Sequence, residues 1–228
     1  MSRGSWPPST GKLMCEATAS NAKKVLDLLE KAHPDARIYL DFDSPLQLLV
    51  ATILSAQCTD AKVNEVTPNL WKAFPTAEAI AGADRAKLEE IVRPTGFYRK
   101  KAESVQKVCQ AVVEEFGGKV PDSLEELVKL PGIGRKTANV VLSSVMGRQA
   151  IAVDTHVGRV SQRIGLARSK DPDKIEQELC DIIPEPRWTR ATHLLGTHGR
   201  RICSAKKPDC EGCPISTLCD YYADQSGR

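Results

Sequence analysis

Lys136 and Asp154 are the residues whose types and positions are best suited to chemistry. Lys136 follows Arg135 in the first turn of a predicted helix, where the helix dipole and the neighbouring cation both disfavour an ammonium ion. Partial burial near a second cation is how enzymes keep a lysine amine uncharged and nucleophilic. The alternative role for Lys136 is a solvated contact to a phosphate. Asp154 also has two alternative roles. It is either a partner for such an amine or the cap of a helix that begins at Thr155.

The glycines before Lys136 predict a hairpin between two helices. A short helix is expected over residues 122–129, Pro131 ends it, and a second helix is expected over residues 135–146. A helix, a tight glycine hairpin and a helix expose backbone N–H groups, which bind phosphate without reading base sequence. We therefore expect contacts to a DNA backbone from Gly132, Gly134, Arg135 and Thr137.

Four cysteines, Cys203, Cys210, Cys213 and Cys219, lie close together near the C-terminal end. Four thiols in so short a segment do not form a spread-out disulfide framework, and they bind either zinc or a [4Fe–4S] cluster. A structural zinc site usually has two closely spaced pairs, whereas only Cys210 and Cys213 form such a pair here. The spacing therefore favours the cluster modestly and leaves zinc open.

The composition excludes several classes of protein. The net charge is only +3, so a nucleic-acid surface must be a local patch, and aromatic residues make up 5%, too few for a single-strand stacking platform. No stretch approaches the ~20 apolar residues that span a bilayer, and residues 1–16 lack the apolar core of a secretory signal. We expect a cytoplasmic, nucleoid-associated protein whose residues 1–16 form a disordered tail.

Apolar residues recur at helical spacing along nearly the whole chain after the tail, and no alternation is long enough for a strand. An all-α fold is therefore predicted. Ser44 and Pro45 read as the cap and first residue of a very apolar helix. Arg99, Lys100 and Lys101 cluster at the start of another helix, where an external phosphate or a solvated basic face would explain them equally well.

The sequences LPGIGRKTANVVL (130–142) and AVDTHVGRV (152–160) resemble the endonuclease III family of helix-hairpin-helix DNA glycosylases. The resemblance covers about residues 17–222, and it includes the 6-2-5 spacing of the four cysteines, which is that of the family's [4Fe–4S] loop. In this superfamily a lysine at the position of Lys136 marks the bifunctional enzymes.

The resemblance implies two helical lobes that flank a DNA-binding cleft. A six-helix bundle with the hairpin is expected at residues 38–148, and an iron–sulfur lobe at residues 17–37 together with 149–228. Lys136 and Asp154 would face each other across the cleft, one from each lobe.

The resemblance also implies base excision repair through a Schiff base. Lys136 would attack the sugar of an everted oxidised pyrimidine nucleotide, Asp154 would assist, and β-elimination would cleave the strand. Gln57 would fill the gap in the duplex, and Phe97 would wedge between bases from the other side. Without the resemblance, Phe97 reads as a core residue. Phe97 and Cys58 depart from the aliphatic and small residues common at these positions, which puts the lesion preference in question.

Further contacts to DNA are expected from basic residues near Asp154 and the cysteines, namely His156, Arg159, Arg200, Arg201, Lys206 and Lys207. The expected partner is damaged double-stranded DNA, with no membrane, no nucleotide cofactor and a monomeric protein. Two alternatives stand beside this reading. One is a non-catalytic DNA-binding module, and the other is an adenine glycosylase of the same fold, which Lys136 and the lack of the additional C-terminal domain of that branch disfavour.

Overall fold

The computed structural model describes residues 10–226, and within this range the regular structure is entirely helical, with no β-strand. The predicted all-α fold is confirmed. Helix α1 covers Thr10–Ala32, so residues 10–16 of the predicted tail are helical instead. They include lysine, leucine, methionine and glutamate, whose helix propensity extends α1 towards its start. Residues 1–9 of that tail lie outside the described residues.

The chain divides into two compact units, each with its own hydrophobic core. We call Ile38–Ala150 the hairpin unit. The cysteine unit combines the chain up to Arg37 with Ile151–Arg228. Among the described residues, no helix is both long enough and apolar enough to cross a membrane.

Seven α-helices form the hairpin unit, all of whose residues the structure describes. They are α2 (Pro45–Leu54), α3 (Asp60–Ala73), α4 (Ala77–Ala81), α5 (Arg85–Val92), α6 (Tyr98–Phe116), α7 (Leu124–Leu127) and α8 (Arg135–Val145), and a 3-10 turn at Arg93–Thr95 precedes α6. Helix α2 is the most deeply buried element, since Leu48, Leu49 and Leu54 on it have no exposed surface. The two helices of the hairpin, α7 and α8, close this core with Leu127 and Val141.

Local capping sets where these helices begin. Ser44 caps α2 and Pro45 is its first residue, as predicted. At α7 the Ser123 hydroxyl accepts the backbone N–H of Glu126, as an N-cap does, and also donates to the Glu126 carboxylate. Ser123 rather than Asp122 is therefore the cap.

Within the described residues the cysteine unit has five α-helices. They are α1, α9 (Thr155–Ile164), α10 (Pro172–Ile182), α11 (Trp188–Arg201) and α12 (Asp220–Ser226). Helix α11 packs on α9 and α1, so the N-terminal helix is joined to the last third of the chain. Three ion pairs support this joint, and they are Asp27–Arg187, Glu30–Arg190 and Asp35–Arg201. Under them, Nε2 of His33 lies 3.2 Å from Nδ1 of His198, and both rings are buried.

Candidate nucleic-acid interface and active site

The predicted hairpin forms between α7 and α8. Gly132 has a φ of +75°, a conformation that residues with a side chain rarely adopt, and Gly134 is the N-cap of α8. Between them Ile133 is 5% exposed and anchors the turn in the core of the hairpin unit. The glycines are consequently exposed, and the start of α8 is open to an anion.

Lys136 is exposed in the first turn of α8, beside Arg135, which is also exposed. Partial burial was the mechanism expected to suppress the charge on its amine, and this structure does not show it. What the fold does provide is the positive end of a helix with no acidic residue in its first turn. This arrangement keeps the amine accessible to a large substrate.

A cavity of about 450 Å³ lies beside the hairpin, wholly within the hairpin unit. Its lining includes Thr52, Gln57, Phe97, Lys101, Gly132 and Thr137. The cavity thus brings four of the predicted DNA contacts to one place, namely Gln57, Phe97, Gly132 and Thr137.

Gln57 and Phe97 share an unusual backbone conformation. Their φ angles are 52° and 46°, and they are the two non-glycine residues with positive φ in the part of the chain that the structure describes. The left-handed conformation costs an L-residue about 1–2 kcal/mol, and such strain is concentrated at functional sites. The pattern-based placement of Phe97 in the core is wrong, because its side chain is 65% exposed. Gly96, with φ 72° and ψ 162°, turns the chain so that Phe97 points out of the unit.

Asp154 has two roles at once. Its Oδ1 accepts the backbone N–H groups of His156 and Val157, both at 2.8 Å, so it is the N-cap of α9. Its other oxygen, Oδ2, lies 3.5 Å from Nη2 of Arg200. Asp154 therefore does cap α9, and the cap uses only Oδ1 of its two carboxylate oxygens.

Two of the predicted DNA contacts instead hold the cysteine unit together. The guanidinium of Arg159 donates to the carbonyl oxygens of Gly199 and Cys203, at 2.8 and 3.0 Å. Arg201 forms two hydrogen bonds with the carboxylate of Asp35, and these bonds lower the pKa of Asp35 to about 2. Sequence alone does not reveal these partners, since they lie far away along the chain.

The remaining predicted contacts are placed differently. His156 is partly buried, and its Nδ1 lies 3.3 Å from Nη2 of Arg159. Lys206 and Lys207 are exposed on the loop between α11 and α12. These two lysines are therefore the basic side chains of this loop that are directed to solvent.

The side chains of Cys203, Cys210, Cys213 and Cys219 line one cavity of the cysteine unit. Burial raises the pKa of Cys213 to about 11, and it also raises the pKa values of Cys210 and Cys219. Nη1 of Arg163 donates to Sγ of Cys203 at 3.3 Å, and Nε2 of His198 lies 3.6 Å from Sγ of Cys213. Among the described residues, no three histidine, cysteine or acidic side chains meet closely enough to hold a single metal ion. The four thiol groups line a common cavity.

The sequence did not predict the contacts of two side chains that lie beside these sites. Lys101 is buried under the Phe97 loop, although it belongs to a run of basic residues that reads as a surface. Arg163, on α9, contacts the loop between α11 and α12, which we call the cysteine loop. Its position one turn after Arg159 on the same helix is the feature of the sequence that indicates this contact.

Comparisons with known proteins agree with this arrangement. Residues 50–185 match the family model described as HhH-GPD superfamily base excision DNA repair protein. The endonuclease III of Synechocystis is 50% identical over 87% of this chain and 91% of its own, and that of Bacillus subtilis is 44% identical over 85% and 89%. A solved structure of a trapped endonuclease III–DNA covalent intermediate superposes with a TM-score of 0.86 at 42% identity, over 91% of this chain and 98% of that one.

Proposed function

We infer the reaction and its residues from one premise: the chain belongs to the endonuclease III family of HhH-GPD base excision DNA repair proteins, and it is a DNA glycosylase with abasic-site lyase activity. The proposal concerns which residues act and on what. The observation that carries it is Lys136, a primary amine exposed in the first turn of α8 directly after the glycine hairpin.

The residues that bind duplex DNA in this proposal belong largely to the hairpin unit. Exposed N–H groups at Gly132 and Gly134 suit a phosphate, and Thr137 lines the adjoining cavity. Gln57 and Phe97 enter the base stack from loops on that cavity. Phe97 suits this role because an exposed apolar ring at a loop tip can wedge between bases and kink the duplex.

Lys136 is the nucleophile. Its Nζ forms a bond to C1′ of the everted nucleotide as the bond from C1′ to the base breaks, and loss of a proton from nitrogen with opening of the sugar gives a Schiff base. The Schiff base acidifies C2′, a proton leaves C2′, and the bond to the 3′ phosphate oxygen breaks. The strand is then cleaved on the 3′ side.

We assign to Asp154 the role of assisting the amine of Lys136. A carboxylate accepts a proton from the lysine ammonium, which frees the amine for attack, and it stabilises positive charge that develops on the sugar. Since Oδ1 already caps α9, we assign this chemistry to Oδ2. Arg200, whose Nη2 lies 3.5 Å from Oδ2, holds that oxygen in place.

Cys203, Cys210, Cys213 and Cys219 would hold a [4Fe–4S] cluster. The fit rests on four thiols, the donors that such clusters take, around one cavity. When bound, the cluster supplies four thiolate bonds that fix the loop between α11 and α12. Lys206 and Lys207 on this loop then have a fixed position for phosphate contacts.

The substrates that follow are duplex DNA with an oxidised pyrimidine or an abasic site, bound by a monomer. Reduction with borohydride in the presence of an abasic-site duplex tests the reaction. A covalent protein–DNA adduct is expected, Lys136→Gln should abolish it, and Lys72→Gln, an exposed lysine in the last turn of α3, should not. A normal adduct from Lys136→Gln would assign the nucleophile to another amine. No adduct from the parent protein would leave a DNA-binding module or a monofunctional adenine glycosylase.

A further inference from the structure

Lys101 is a buried cation that the proposed reaction does not use. Its side chain is 5% exposed, and its Nζ donates to the backbone carbonyl oxygen of Thr95 at 2.7 Å. Burial lowers the pKa of Lys101, and the nearby thiol of Cys58 partly opposes that shift. Taking an ammonium group out of water is unfavourable unless it is well paired, so a buried lysine adds little to stability by itself.

The hydrogen-bond partner of Lys101 belongs to the loop that carries one of the two strained residues, since Thr95 lies two residues before Phe97. Lys101 also lines the cavity that Gln57 and Phe97 line. One ammonium group is therefore bonded to the Phe97 loop beside the cavity that both strained residues share.

Helix geometry explains how Lys101 reaches the loop before its own helix. Side chains on an α-helix lean towards the N-terminus, so a lysine in the first turn of α6 extends back past Phe97. Phe97 is the N-cap of α6 but provides no side-chain cap, and the first turn holds no acidic residue. The hydrogen bond from Lys101 to Thr95 thus connects the first turn of α6 to the loop that precedes it.

We propose that Lys101 is a positioning residue, which holds the Phe97 loop in place beside the cavity that Gln57 also lines, so that the Phe97 side chain can enter the base stack. The proposal rests on the proposed glycosylase function. Lys101 itself does not touch the reacting atoms. Its effect is confined to substrates in which a base must be extruded from a duplex.

A purely structural role makes a different prediction. Lys101→Met keeps the length of the side chain, removes the buried charge and leaves the Thr95 carbonyl without its donor. Because the lost hydrogen bond and the relieved desolvation oppose each other, the unfolding free energy should change little. If Lys101 only supported the fold, activity would follow stability on every substrate.

The experiment compares two substrates under single-turnover conditions with saturating enzyme. One is a duplex that contains a single oxidised pyrimidine, and the other is a single strand with an abasic site, which has no paired base to extrude. Lys101→Met should lower excision from the duplex by about tenfold or more, since small misplacements have large effects on rate, and should leave cleavage of the single strand within about twofold. Lys107→Met is the matched control, because Lys107 is an exposed lysine of the same helix that pairs with Glu103.

The outcomes separate the hypotheses. Unchanged excision from the duplex, or equal loss on both substrates with unchanged stability, overturns the positioning role. Failure of the parent protein to excise the oxidised base from the duplex refutes the proposed function instead. Should Lys101→Met not fold, Lys101→Gln, which is shorter and uncharged, decides by the same ratio of the two rates.

Discussion

The ion pair between Arg200 and Asp154 engages only one of the two carboxylate oxygens of Asp154. Nη2 of Arg200 lies 3.5 Å from Oδ2, while Oδ1 accepts two backbone N–H groups at the start of α9. Capping and catalysis are therefore assigned to different oxygens of one side chain. Substitutions that preserve one oxygen can separate the two roles.

Asp154→Asn should keep the fold and lose the chemistry. Asparagine is as good an N-cap as aspartate, so the unfolding free energy should stay within about 0.5 kcal/mol of the parent, whereas Asp154→Ala should cost about 1 kcal/mol. Both variants should lower base excision by about 10²-fold or more, because neither supplies a carboxylate. Chemical denaturation and single-turnover excision measure the two effects, and an Asn variant with parental rates would show that Asp154 is a cap alone.

Phe97→Gly should impair excision from duplex DNA at little expense in stability. The ring is 65% exposed, so little apolar burial is lost, and glycine adopts the φ of 46° without strain. We expect the unfolding free energy to change by less than about 1 kcal/mol. Phe97→Leu, which keeps an apolar wedge, should retain excision. Equal excision rates for the Gly and Leu variants would remove the wedge from the mechanism.

The parts of the site that sequence predicts well are those set by neighbouring residues. Helix α8 begins at Arg135 as predicted, and α9 begins at Thr155 after its cap Asp154, because glycine, proline and capping preferences act within a few positions. The all-helical fold likewise follows from apolar spacing.

What sequence did not predict depends on distant contacts or on one backbone angle. Arg159 and Arg201 read as phosphate contacts, but their partners lie about 40 residues away for Arg159 and 166 for Arg201. Phe97 reads as core because aromatic residues are usually buried, and only the turn at Gly96 directs it outwards. Lys101 reads as surface because it ends a basic run.

Stability should fall on mild acidification through His193. Burial, together with the nearby guanidinium of Arg190, lowers the pKa of His193 below its ordinary value of 6.5. Below pH 6.5 the unfolded chain therefore takes up a proton that the folded protein does not, and the stability present above pH 6.5 is lost progressively as pH falls towards the folded pKa. Denaturation at several pH values should show this decline, and His193→Gln should reduce its slope. An unchanged slope would assign the decline to other groups.

We expect the contacts of Arg163 to stabilise the closed conformation of the cysteine loop. Its guanidinium donates to the carbonyl oxygens of Ser204 and Ala205 at 2.7 and 2.9 Å, and it lies 4.5 Å from the ring centre of Tyr221 on α12. Arg163→Met removes these contacts, and because hydrogen bonds to a charged group contribute about 1.5–3 kcal/mol each, the loop should open more often.

For the protein with the proposed [4Fe–4S] cluster bound, the measurement is the loss of visible absorbance and of iron in air, followed beside limited proteolysis of the loop. Arg163→Met should lose both signals several-fold faster than the parent, since an open loop exposes the thiolates to oxidation. Arg168→Met is the control, because Arg168 is an exposed arginine a few residues beyond Arg163 that is not among the residues lining the cysteine cavity. Equal rates for the two variants would show that the thiolate bonds alone fix the loop, without help from α9.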